Sequence, residues 1–313
     1  MKGADRWGLG LGAVLTLVAC QPAVLQTPKP VLRCLASDLG PITLPGGQAR
    51  IGSDIAYVEE APARTLFVAS FSIDATEVTN AQFSRFVEAT GYVTMAEKPL
   101  DPALIPKDAP PYLNLPGSAV FKTATPEQPY WWSYVPGANW RHPEGPKSTI
   151  DGRANFPVVQ IAYADARAYA QWAGRRLPSE TEWEYAAKAG AATLYPWGDE
   201  RVPDGQHRAN TWQGLFPVDD QAEDGFAGLA PVGCFAPNAF GLYDMIGNAW
   251  EWTSTPYAQS ERQSSSIEPV YTIKGGSYLC ADNYCRRYRA SARQPQEAGL
   301  GSNHIGFRTI GGP

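Results

Sequence analysis

The sequence predicts a loop-rich fold packed through aromatic side chains, with a few helices and short strands. Three observations carry that expectation. Gly, Pro and Trp number 30, 28 and 10 in a chain of 313 residues, a composition that favours irregular loops over a doubly wound sheet. Long runs of Val or Ile are scarce. Clear hydrophobic periodicity is confined to short segments.

Hydrophobic residues make up 44% of the chain, enough for a large core. The 26 Lys and Arg are outnumbered by 31 Asp and Glu, and the net charge of −5 lacks the basic footprint of a nucleic-acid partner.

The first forty residues read as processing sequence. Lys2 and Arg6 form a short basic region, and Leu9 to Val18 form an apolar stretch too short to span a bilayer. It ends in Leu17-Val18-Ala19-Cys20, which is similar to the lipobox of bacterial lipoproteins, with Cys20 the acylated residue. The alternative is an ordinary signal peptide with a chance cysteine. Residues 1–20 are thus expected to be a lipoprotein signal peptide and residues 21–38 a tether containing Pro22, Pro28 and Pro30. Residues 39–313 show no second linker, low-complexity tract or repeat and are expected to form one domain. The chain is expected to be exported and held at a membrane through lipid on Cys20. An oxidising compartment then sets how Cys34, Cys234, Cys280 and Cys285 are read.

Three helices can be placed. The first has Thr79 as N-cap with Gln82 completing a capping box, buries Phe83, Phe86 and Val87, and ends at Gly91. The second carries Tyr169, Trp172 and Ala173 on one face and stops at Gly174. The third opens with Ser179 and Glu182, buries Trp183, Ala186 and Ala187, and stops at Gly190. Thr65 to Ile73 and Tyr271 to Tyr278 are the best strand candidates. Tyr195 to Gly241 reads as irregular, and a large irregular domain needs disulfides or bound ions as staples.

Several chemistries lack their residues. His142, His207 and His304 are the only histidines; no HExxH motif, GxSxG elbow or phosphate-cradling Gly loop occurs. What remains is Cys280-Ala281-Asp282-Asn283-Tyr284-Cys285. On a helix or straight strand the two thiols diverge, but a bend at Asp282-Asn283 can bring them to one point. Spacing alone leaves three readings open: a plain disulfide, a soft-metal thiolate site and a redox pair. The neighbouring Arg286-Arg287-Tyr288-Arg289 run either lowers thiol pKa values or is a salt-bridged strand.

Lys274-Gly275-Gly276-Ser277-Tyr278-Leu279-Cys280 followed by Cys285-Arg286-Arg287-Tyr288-Arg289 resembles the active-site segment of formylglycine-generating enzymes. Further matches are Gly137 to Pro146, Arg176 to Tyr185 and Tyr195-Pro196-Trp197-Gly198. Gly247-Asn248-Ala249-Trp250-Glu251-Trp252 and Gly306-Phe307-Arg308 complete a series that runs in order from about Pro45 to Arg308. These last two motifs mark the wider superfamily and speak to fold; the cysteines and the Trp140 segment mark the enzyme.

The resemblance implies an α+β, C-type-lectin-related fold with little regular secondary structure. It implies oxidation of a sulfatase cysteine within Cys-x-Pro-x-Arg to Cα-formylglycine, with O2 as oxidant. Cys280 and Cys285 would hold Cu(I), soft ligands for a soft ion, with the substrate thiolate as third ligand. A hydrogen leaves the substrate Cβ, and the thioaldehyde formed hydrolyses to the aldehyde. Ser277, Trp250 and Tyr284 would line the pocket; His304 stands where some members have Asn. Two structural Ca2+ sites carry over. One uses Asn210 and Asp224 side chains with the Thr211 and Phe226 carbonyls. The other uses Asp244 and Glu251 with the Gly247 and Ala249 carbonyls. Asp244 replaces the usual Asn there. Disulfides of vertebrate members are missing, since their positions hold Ala170, Ala187, Ala290 and Thr309.

Cys34 and Cys234, the two cysteines left over, are expected to pair. The protein is expected to act as a monomer on an extended sulfatase segment. An alternative is a non-catalytic binding or scaffold lipoprotein on the same fold, which normally lacks the cysteine pair. A sulfoxide-forming non-haem iron enzyme or a pigment-maturation enzyme is disfavoured by the absence of paired His.

Overall fold

A computed structural model describes residues 34–35, 39–102, 105, 107–257 and 269–313. The expected lipobox and most of the expected tether, Cys20 included, lie outside the described residues.

Short strands build four small sheets among these residues. β1 (Pro41–Leu44), β4 (Phe71–Asp74) and β11 (Ile310–Gly311) form one, with β4 central. β2 (Gly47–Ile51) pairs with β3 (Arg64–Val68), and β5 (Gly117–Phe121) with β6 (Trp132–Pro136). The fourth sheet is ordered β10-β7-β8-β9, from β7 (Trp250–Pro256), β8 (Val270–Lys274), β9 (Arg293–Glu297) and β10 (Ile305–Gly306). The expected strand over Thr65 to Ile73 is therefore two strands in different sheets, broken at Ala69 and Ser70. The expected strand over Tyr271 to Tyr278 stops at Lys274, because Gly275 and Gly276 turn the chain at φ of 97° and 81°.

α1 (Asn80–Thr90) forms as expected. The Thr79 and Gln82 box closes both ways, and Gly91 in the left-handed region returns its N–H to the Val87 carbonyl. α2 (Tyr163–Trp172) differs in its buried face, which is Tyr163, Ala166, Tyr169 and Ala170. Trp172 and Ala173 are exposed, although the Trp172 ring still rests against Phe86 and Tyr169. α3 (Glu180–Lys188) has its Ser179 and Glu182 box and ends at Ala189, one residue before the expected Gly190.

Cys34 and Cys234 are joined in a disulfide. The fold therefore takes in Cys34 and Leu35, ahead of the residue-39 boundary expected from sequence; the Leu35 N–H also donates to the Gly233 carbonyl at 3.2 Å.

Alternation along the fourth sheet gives it two unlike faces. Trp252 pairs with Ile273, and Ile273 with Gln294, so these share a face with Trp250, two residues before Trp252. Glu251 pairs with Lys274, and Lys274 with Arg293, on the face toward α3. That second face is ionic but dry. Lys274 is fully buried, with its Nζ 2.9 Å from Glu184 Oε2, and Arg293 grips both oxygens of Glu180 at 2.8 and 2.9 Å. Burial works to raise the Glu184 pKa, yet Lys274 and Lys188 together hold it below the ordinary carboxylate value. The four largest buried side chains are Trp140, Trp183, Trp250 and Trp252, and the core is built around them.

Candidate active site

Two turns bring the expected thiols together. After β8, a Cβ on Gly276 would lie 2.8 Å from the Tyr288 Cα and 2.9 Å from the Arg287 carbonyl oxygen, so glycine alone lets the chain cross there. Past the crossing, the Cys280 N–H donates to the Ser277 carbonyl at 2.9 Å. One helical turn follows, in which Tyr284 and Cys285 N–H both donate to the Ala281 carbonyl, at 3.3 and 3.0 Å. The bend expected at Asp282-Asn283 is this turn. It sets the two Sγ atoms 3.7 Å apart, whereas a disulfide closes to about 2.05 Å. Both cysteines are free thiols, so the plain-disulfide reading does not hold.

The two sulfurs differ in charge. Burial pushes the Cys280 thiol well above its usual range, and the neighbouring Cys285 adds to this. Cys285 is drawn down to about 6, first by the Cys280 S–H that donates to it and further by Arg287. Arg287 Nη1 stands 3.9 Å from Cys285 Sγ. Glu59 fixes that guanidinium at 2.6 Å from its other side, and the Tyr57 ring lies 4.2 Å beneath it. At neutral pH the pair therefore holds one proton, with a thiol at 280 and a thiolate at 285.

The thiols open into a pocket of about 510 Å³. Ser277, Trp250, Tyr284 and His304 all line it. β7 aims Trp250 there, and the Trp250 N–H donates to the His304 carbonyl at 2.9 Å. Ser277 Oγ lies 3.0 Å from His304 Nδ1 and also accepts the Leu279 N–H at 3.2 Å. Burial drives the His304 pKa down to about 3, so its imidazole is neutral. Tyr284 is 57% exposed and stacks on Phe216, with ring centroids 4.3 Å apart. Trp132 stands over His304 at 5.0 Å between ring centroids. Phe216, Trp132 and the Glu59 anchor were not singled out in the sequence. Trp132 opens β6, Glu59 sits in a single 3-10 turn and Phe216 in an irregular turn, all distant in sequence from the cysteines, and no motif links them.

The residues of the first expected calcium set meet. Asn210 and Asp224 are buried, and Asp224 Oδ2 accepts the Thr211 N–H at 2.9 Å. Asn210 Oδ1 is buried without a hydrogen-bond partner, and Asp224 has no ion-pair partner among the described residues. Burial raises the Asp224 pKa against the N–H groups that donate to it. The second set is spent differently. Both Glu251 oxygens are held by Arg308 at 2.7 Å, and one also accepts the Trp183 indole N–H at 2.7 Å. Asp244 is buried beside Glu251 and Glu77, and burial lifts its pKa to about 6. Glu77, which the sequence reading passed over, has one oxygen with no partner and a pKa pushed well up by burial. Gly247 is required for close approach, because a Cβ there would meet the Asn210 carbonyl oxygen at 2.2 Å.

The thiol pair has a direct chemical signature. Iodoacetamide should label Cys285 at a rate that rises through about pH 6 and is flat above it, while Cys280 stays unmodified at neutral pH. Cys280→Ser exchanges the thiol donor for a hydroxyl and should move that midpoint. A wild-type midpoint in the ordinary thiol range near 8.5 would contradict the assignment.

A sequence profile described as "Sulfatase-modifying factor enzyme 1-like domain" matches residues 33–312. A protein of Mycobacterium tuberculosis named formylglycine-generating enzyme is 50% identical, over 87% of this chain and 97% of its own length. The protein of the same name from Thermomonospora curvata is 44% identical, over 88% of this chain and 94% of its own. A mouse relative named inactive Cα-formylglycine-generating enzyme 2 is 38% identical, over 87% of this chain and 86% of its own. Among solved structures, PvdO from Pseudomonas aeruginosa superposes with a TM-score of 0.59 at 24% identity, over 87% of this chain and 94% of that one, a likeness of fold. With a profile match over nearly all the described residues, and relatives this similar across their length, the chain belongs to the sulfatase-modifying factor family of formylglycine-generating-type proteins.

Proposed function

We propose that this protein oxidises a cysteine within a Cys-x-Pro-x-Arg segment of a sulfatase to Cα-formylglycine, using O2 and a copper ion held by Cys280 and Cys285. The observation that carries the reading is the pair of free thiols 3.7 Å apart at the head of an open pocket. Among the described residues, no group of three or more His, Cys, Asp or Glu could hold a metal ion. Two sulfurs alone suit a soft ion of low coordination number rather than tetrahedral Zn2+. When bound, copper supplies the one-electron chemistry with O2 that no side chain here provides.

The chain's own residues do the rest. Cys285 is already a thiolate, and Cys280 gives up its proton when it becomes a ligand. Neutral His304 and Ser277 form a fixed hydrogen-bonded pair beside Cys280 that can exchange a proton without carrying net charge. Trp250, Trp132 and Phe216 line the pocket with aromatic surface around the thiols. The substrate cysteine gives up two electrons and two protons in becoming a thioaldehyde; O2 takes them up, ending as hydrogen peroxide, or as water when an external thiol supplies two more electrons. Water then replaces sulfur by oxygen, and hydrogen sulfide leaves. A non-catalytic protein on the same fold is the second reading, and the inactive relative gives it a counterpart. The reactive thiol pair speaks against it.

The test is turnover. Purified protein loaded with Cu(I) in air should convert the cysteine of a Cys-x-Pro-x-Arg peptide to an aldehyde, read by mass and by oxime capture. Cys280→Ser and Cys285→Ser should each lose more than the roughly 100-fold that removal of an outer-shell partner costs a metal site. Full turnover in either variant would overturn the proposal.

We also propose Ca2+ at the first set only: Asn210 and Asp224 side chains with the Thr211 and Phe226 carbonyls. The partnerless Asn210 oxygen beside a buried carboxylate with no cation supports that reading. Glu251 is committed to Arg308 and Trp183, so the second set does not fit a cation through that carboxylate. A calcium chelator should lower the melting temperature by roughly 5–10 °C, and Asp224→Ala should remove the chelator response. No shift on chelation would contradict the site.

A further inference from the structure

One wall of the pocket has hydrogen-bonding capacity that neither the fold nor the chemistry uses. Gln294 and Gln296 lie on β9, the free edge of the fourth sheet, on the same face as Ile273 and Trp252. Both are half-buried and line the pocket. Among the described residues the Gln294 amide has no hydrogen bond. Gln296 uses only its N–H, toward the Leu300 carbonyl at 2.9 Å, which leaves its own carbonyl open. Ser302 completes the wall. It is 5% exposed, and its hydroxyl is buried without a partner. A buried hydroxyl with no partner is costly, so its presence beside two open amides points to a ligand that supplies the missing bonds.

The character of that ligand follows from the wall's chemistry and spacing. The charged groups lining the pocket among the described residues, the Cys285 thiolate and Arg287, are committed to each other, and Arg287 also to Glu59, so recognition on this side is by hydrogen bonds. A carboxamide offers both a donor and an acceptor, the complement of a peptide group. Side chains two apart on a strand project in parallel, roughly 6.5–7 Å from each other. That is also the repeat of main-chain groups facing one way along an extended peptide. Pro295, between the two glutamines, has no N–H, so the middle of this edge cannot donate to an added strand. Contact must then run through side chains. Trp132, Phe216 and Tyr284, which also line the pocket, are aromatic and suit the ligand's own side chains.

We propose that Gln294, Gln296 and Ser302 form a main-chain subsite that takes an extended substrate segment by its peptide groups, independent of its sequence on that side. This rests on the function proposed above. Such a subsite would accept segments that differ around a fixed cysteine.

The experiment uses the full chain without copper and a fluorescent Cys-x-Pro-x-Arg peptide whose cysteine is replaced by Ser, so that binding is read apart from turnover. Gln294→Ala/Gln296→Ala should weaken binding at least about tenfold, as loss of two net hydrogen bonds would. A second peptide with its main-chain amides N-methylated beside the reactive position should bind wild type more weakly. It should gain no further loss in the double variant. Ser302→Ala should weaken binding less. Unchanged affinity in the double variant overturns the subsite. So does full affinity of wild type for the N-methylated peptide, a result that stands even if the variant misfolds. Wild-type turnover of the unmodified peptide, measured alongside, decides the oxidase reading separately.

Discussion

Arg308 enters a dry interior near the chain's end and meets Glu251 there. Two hydrogen bonds of 2.7 Å join them, with both side chains essentially unexposed. Trp183 donates to the same carboxylate, while the guanidinium's remaining N–H groups reach the carbonyls of Asp74, Ala75 and Tyr243. One pair thus ties β7 to α3, to β4 and to the segment after β10. Removing one partner from a buried pair costs about 3–5 kcal/mol, because the other charge is left without compensation. The geometry of the site follows from this tie. With Glu251 fixed on the α3 face, strand alternation must send Trp250 to the pocket face. The parallel pairing of Ile305 with Trp250 then holds His304 beside the thiols.

The second constraint is local. Gly276 allows a crossing too tight for any side chain, and the single turn over residues 281–285 closes the distance between sulfurs. Electrostatics then separates two identical thiols. One is buried and keeps its proton; the other accepts that thiol's S–H, faces a fixed guanidinium and is drawn down. The Tyr57 to Glu60 segment sustains that difference from more than two hundred residues away, through Glu59 on Arg287 and Glu60 on Arg289 and Ser291. Cys34 and Cys234 are joined in a disulfide, whereas Cys280 and Cys285 are free thiols.

Motifs with a local cause were legible in the sequence. The capping boxes at Thr79 and Ser179 predict where α1 and α3 begin, and Cys280 with Cys285 predicts the centre of the site. What depends on long-range packing was not. The break between β3 and β4 has no glycine or proline to mark it, and exposure of Trp172 depends on where α2 docks. The role of Glu251 illustrates the same limit. As a carboxylate in a motif it reads as a cation ligand, and nothing in its spacing announces the pairing with Arg308, fifty-seven residues on. Trp132, Phe216 and the β9 glutamines reach the pocket from separate loops and strands, which no spacing rule connects.

On the function proposed above, Cys280 and Cys285 act together as the two ligands of one copper ion. X-ray absorption on the Cu(I)-loaded full chain tests it most directly, since it reports the ligand atoms without any substrate. One copper per chain is expected, with two sulfur neighbours and no nitrogen, and one sulfur is lost in Cys285→Ser. A copper environment dominated by nitrogen or oxygen, or one unchanged by that substitution, would contradict it.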